Sequence, residues 1–69
     1  MKAIRVSVSF NEWSKVDDFL AQFRDEEDTF VYQVDNVTFV AVFEGECAMS
    51  YFQAELETMF EDPIIVELK

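Results

Sequence analysis

Apolar residues recur at two spacings along this 69-residue chain, and the order in which the spacings alternate restricts the folds open to it. Residues 3–10 alternate, with Ile4, Val6, Val8 and Phe10 on one side and Arg5, Ser7 and Ser9 on the other, the period of a half-buried strand. Ser9 and Glu12 then fit a capping box, with Asn11 as a competing cap. Trp13, Val16, Phe19, Leu20 and Phe23 recur at helical spacing, so the pattern predicts a helix over 12–24 with those residues inward. Asp25-Glu26-Glu27-Asp28 holds four like charges and no apolar anchor, which makes it the loop that ends the helix.

Two β-rich runs follow around Asp35-Asn36, residue types that tolerate the left-handed conformations of a tight hairpin. A two-residue turn there sets Val34 opposite Val37, Tyr32 opposite Phe39 and Phe30 opposite Ala41. That register gives one face to Phe30, Tyr32, Val34, Val37, Phe39, Ala41 and Phe43, the expected core, and the other to Val31, Gln33, Thr38, Val40 and Val42. Gly45 breaks the second run, and Met49, Phe52, Leu56, Met59 and Phe60 mark a second amphipathic helix over 47–61. Asp62-Pro63 stops it, and residues 64–68 read as a short terminal strand at a sheet edge.

The resulting order, β-α-β-β-α-β, predicts an α+β chain that resembles the ferredoxin-like βαββαβ two-layer sandwich: an antiparallel sheet in the order 4-1-3-2 with two helices on one face. The length suits one domain over 1–69, and with 51% hydrophobic residues, eight Phe among them, the core is dense for that size. The single cysteine, Cys47, has no intrachain disulfide partner and reads as a packing residue at the start of the second helix in a reducing compartment. Met1-Lys2 leads straight into alternating residues, without the apolar block of a signal peptide or a membrane span. A soluble cytoplasmic protein is expected, in the host cytoplasm if viral.

Fifteen carboxylates against five basic side chains give a net charge of -10. Because they are interleaved with the apolar pattern, they form the coat of a folded domain and not a disordered tract. Turning the apolar stripes inward exposes Glu12, Asp17 and Asp18 on the first helix and Glu46, Glu55, Glu57 and Glu61 on the second, with Lys15 and Arg24 as the interruptions. A one-sided layer of this kind either keeps the chain soluble or meets a basic partner, since spaced carboxylates complement a Lys- and Arg-lined groove as phosphates do. In size, charge and compactness the chain resembles the small acidic inhibitors that bacteriophages direct against restriction, CRISPR and other nucleic-acid enzymes. The resemblance implies a DNA mimic that binds such an enzyme or complex, with Asp17, Asp18, Asp25, Glu26, Glu27, Asp28, Glu55, Glu57, Glu61 and Asp62 as its contacts.

The alternative use of the molecule is through the uncovered side of the sheet. There Val31, Val40, Val42 and Ile65 are expected beside Arg5, Ser7, Gln33 and Thr38, an interface for a homodimer or for an oligomeric structural or accessory subunit. The free edge of strand 29–34 is a further route, by strand addition. Five scattered basic residues make no footprint for direct nucleic-acid binding. The absence of histidine, with one cysteine and one glycine, removes imidazole chemistry, thiolate clusters and glycine-rich phosphate loops. The pairs Asp17-Asp18, Glu26-Glu27 and Glu61-Asp62 lack metal-loop spacing. The expectation is a binding protein without catalysis, cofactor, metal or membrane.

Overall fold

The computed structural model describes residues 2–68. Strand β1 (Lys2–Ser7) leads through a 3-10 turn at Phe10–Glu12 into helix α1 (Trp13–Ala21). Strands β2 (Thr29–Gln33) and β3 (Thr38–Phe43) form the hairpin, followed by helix α2 (Glu46–Met59) and strand β4 (Ile64–Leu68). The sheet order is β2-β3-β1-β4, and each neighbouring pair is antiparallel. The sequence order predicts this arrangement, and the chain is an α+β molecule with four strands and two helices.

Both helices pack on one side of the sheet. Ile4, Val6 and Val8 from β1 and its continuation, with Phe39, Ala41 and Phe43 from β3, form one buried cluster with Val16, Phe19, Leu20, Phe23, Phe52, Leu56 and Phe60 from the helical layer. Phe52 sits at its centre: ring centroids lie 5.1 Å away for Phe19, 4.6 Å for Phe23 and 5.2 Å for Phe43. These tilted and edge-on contacts stabilise each pair by about 0.5–1.5 kcal/mol beyond the burial itself. They also tie α1, α2 and β3 to one point.

The first helix departs from its expected form in two ways. It is regular only to Ala21, after which the chain tightens into i→i−3 turns, with Gln22 N–H donating to Phe19 C=O at 3.2 Å and Phe23 N–H to Leu20 C=O at 3.0 Å. Its buried stripe is also rotated. Glu12, Val16, Phe19, Leu20 and Phe23 point inward, leaving Glu12 6% exposed and Trp13 51% exposed, the reverse of the expected placement. Phe10, expected in the core, is exposed as well, because β1 ends at Ser7 and the 3-10 turn swings it outward. Ser9 makes no side-chain cap, so there is no capping box.

The buried carboxylate of Glu12 has a structural task instead. Its Oε2 accepts the Glu61 backbone N–H at 3.1 Å and the Lys15 ammonium at 3.3 Å, while Oε1 is buried without a hydrogen-bond partner. Lys15 Nζ also reaches the Met59 C=O at 3.4 Å, in the last turn of α2, where a cation complements the free carbonyls. Glu12 and Lys15 thus clamp the start of α1 to the end of α2. Just beyond lies Asp62 at φ 46°, in the left-handed region, which ends the helical direction before Pro63.

Removing the central ring tests this account of the core. Phe52→Ala is expected to cost about 3–5 kcal/mol. That is a large part of the total stability of a domain this small, and the loss is measurable as a lower urea midpoint at unchanged baseline ellipticity.

Candidate docking surfaces

The hairpin register decides what each side of the sheet displays. β2 and β3 pair as Thr29↔Phe43, Phe30↔Val42, Val31↔Ala41, Tyr32↔Val40 and Gln33↔Phe39. This is one residue out of step with a two-residue turn, so the faces of β2 are exchanged. The cause lies in the connection. The Asp35 carboxylate accepts the Val37 N–H at 2.9 Å, while the Thr38 C=O accepts both the Val34 and the Asp35 N–H, at 2.8 and 3.1 Å. An Asx turn of this kind leaves three residues, 35–37, between Val34 and Thr38, one more than a two-residue turn, and so shifts the pairing by one. Val37 tucks against the core, with its C=O accepting the Val8 N–H at 2.9 Å, and Val34 is left exposed.

The sheet face away from the helices is consequently not the one expected. Val31 and Ile65 lie on the helix side, partly buried against the core, and drop out of the candidate interface. Val40 and Val42 remain on the open side. Phe30 and Tyr32, expected in the core, join them, as do Ile64, Val66 and Leu68 of β4. The rows across the sheet read Phe30-Val42-Ala3-Leu68, then Tyr32-Val40-Arg5-Val66, then Thr38-Ser7-Ile64. The third row is closed by a 3.4 Å hydroxyl contact between Ser7 and Thr38. Among the described residues on this face Arg5 is the sole charge. Sequence reasoning missed the five large apolar side chains because both sides of β2 and β4 are apolar enough to pass for core.

The carboxylates gather elsewhere. Asp17 and Asp18 are exposed on α1, Asp25, Glu26, Glu27 and Asp28 on the following loop, Glu57 on α2, and Glu61 and Asp62 just past its end, with Glu55 half-buried on α2. Ion pairs among the described residues are Lys2–Glu46 at 3.8 Å and Lys15–Glu12 at 3.3 Å, so none of these ten carboxylates is neutralised by a cation. Lys15, expected to interrupt the layer, is engaged by Glu12 and the end of α2. Glu12 itself leaves the layer for the interior. Asp17-Asp18, Glu26-Glu27 and Glu61-Asp62 stay separate pairs: no three Asp, Glu or Cys side chains among the described residues converge on a point where a cation would sit. Cys47, expected to be packed, is exposed in the first turn of α2. No helix among the described residues is long and apolar enough to cross a membrane.

Comparison with protein-family models, with curated proteins and with solved structures finds no match to this chain.

The register is open to a direct test. Val31→Asp places a charge under the helices and is expected to cost about 3 kcal/mol or more, whereas Tyr32→Asp one residue later changes folding stability by less than about 1 kcal/mol. Thermal unfolding followed by circular dichroism separates the two; a larger loss for Tyr32→Asp than for Val31→Asp would return the hairpin to the two-residue turn.

Proposed function

We propose that this chain is a small acidic binding protein that inhibits or regulates a basic, nucleic-acid-handling protein by occupying its cationic groove as a DNA mimic. The role that fits is a phage anti-defence factor, directed against restriction or CRISPR enzymes in the host cytoplasm. One observation carries the reading: ten carboxylates on the helical layer and its flanking loops, none of them paired with a cation among the described residues. An unpaired layer repels itself, by about 0.2–0.5 kcal/mol for each helical neighbour pair of like charge. A basic groove relieves that repulsion and releases its own bound anions, which gives steep salt dependence. The βαββαβ order and the β4-β1-β3-β2 sheet support the ferredoxin-like assignment, in which both helices lie on one side of the sheet and their outer surface is free to meet a groove. Nothing in this reading requires catalysis, a cofactor or a metal.

The second reading, an oligomeric structural or accessory subunit, is favoured by the open face of the sheet, apolar but for Arg5 and a few small polar residues, and does not exclude the first.

The test is capture from a bacterial lysate cleared of nucleic acid, with elution by a salt gradient and identification by mass spectrometry. A nucleic-acid enzyme or its basic subunit is expected to elute at intermediate salt. The triple variant Asp17→Lys, Asp18→Lys, Glu57→Lys is expected to bind that protein at least about tenfold more weakly at low salt. Undiminished binding by the triple variant would overturn the mimic.

A further inference from the structure

Both edge strands turn their bulkier apolar side outward. In β2 the helix side receives Thr29, Val31 and Gln33 while Phe30 and Tyr32 face away; in β4 it receives Ile65 and Glu67 while Ile64, Val66 and Leu68 face away. A sheet whose second face is meant for water shows the opposite alternation, polar residues outward. Phe30, Tyr32, Ile64, Val66 and Leu68 are between 38% and 64% exposed, which corresponds to about 450 Å² of apolar surface at the usual sizes of such side chains. With Val40, Val42, Arg5 and the small residues between them, the face offers roughly 700 Å². Isolated apolar residues on a surface are ordinary; a contiguous patch of this area is not.

We infer that this face is a self-association surface, and that a second copy of the chain covers it, sheet against sheet. Two copies bury roughly 1,400 Å² in this way, within the range of specific interfaces. Charge selects the occupant. Every carboxylate that the sheet order assigns to a face lies on the helix side or at the loops, so sheet-to-sheet packing sets the two acidic layers on opposite outer surfaces, as far apart as two such molecules can place them. An acidic partner of other shape has no cationic surface here to meet beyond Arg5, and a basic partner finds no carboxylate. The face is also complementary to itself. A two-fold axis along the strands lays β2 of one copy over β4 of the other, so that Phe30 meets Leu68 and Tyr32 meets Val66. It sets Arg5 over Val40 instead of over a second Arg5.

The salt response separates this surface from the acidic layer. Two copies at -10 each repel at long range, so their association tightens as salt screens the repulsion, whereas docking of the carboxylates on a basic protein loosens. Sedimentation equilibrium over about 1 µM to 1 mM, at about 0.05 and 0.5 M NaCl, is expected to show a species of about 16 kDa, twice the 8.1 kDa chain, more populated at the higher salt. Tyr32→Glu and Val66→Glu, both at exposed positions, are expected to weaken the association at least about tenfold with an unchanged circular dichroism spectrum, while Ser14→Ala, exposed on α1, leaves it intact. In a Cys47→Ser background, a mixture of Tyr32→Cys and Val66→Cys chains is expected to form the mixed disulfide. A wild-type chain that stays at 8.1 kDa throughout, a dimer indifferent to both glutamates, or a dimer that yields no mixed disulfide would each overturn the inference.

Discussion

The Asp35 carboxylate shapes the hairpin connection on which the two faces of the sheet depend. By accepting the Val37 N–H it holds open a three-residue connection, 35–37, between Val34 and Thr38, and the pairing of β2 with β3 follows from that odd length. A strand has two sides only, so a change of one residue in the pairing exchanges them completely. Phe30 and Tyr32 stand on the open face because of it, Val31 lies under the helices because of it, and Thr29 is buried at the base of β2 beside Phe43. β1 is then paired on both sides, and its own alternation carries the pattern across to β4.

The parts legible in the sequence are those where one side of an element is unambiguously apolar. Ile4 and Val6 against Arg5 and Ser7 admit a single orientation for β1, and Val16, Phe19, Leu20 and Phe23 a single buried stripe for α1. Element order, sheet order and the helix side of β3 follow from these. β2 and β4 carry apolar residues on both sides, so periodicity gives them a strand without giving them a face. The start of α1 fails for a related reason. A stripe running back from Phe23 through Phe19 and Val16 arrives at position 12 at the same spacing, and helical geometry there outranks the hydrophobicity of Trp13. A carboxylate is tolerable in that place only because the Glu61 N–H and Lys15 are waiting for it, and neither partner is visible from a window of local sequence.

The acidic layer was legible as a composition and, in large part, as a place. Its membership depended on rotation: Glu12 left it, Lys15 ceased to interrupt it, and the 25–28 loop stayed in it because the i→i−3 turns after Ala21 carry no apolar residue past Phe23. The molecule bears this charge because the two sets of forces act at different ranges. Exposed carboxylates interact weakly through water, a few tenths of a kcal/mol per pair, while each buried phenyl ring contributes about 1.5–3 kcal/mol by leaving it. Seven of the aromatic contacts converge on Phe19 and Phe52, so the strongest term in the fold is also the most local.

Separating the carboxylates from the open sheet face has a consequence for how the chain moves before it touches anything. With negative charge concentrated on the helical side and a lone guanidinium opposite, the single chain carries an electric dipole along the sheet normal, in addition to its net charge. In the field of a cationic surface the net charge draws it inward and the dipole exerts a torque that turns α1 and α2 forward. Orientation is then settled at distances near the Debye length, about 8–10 Å at ordinary salt, and the search over wrong approach angles is shortened before the first side chain makes contact.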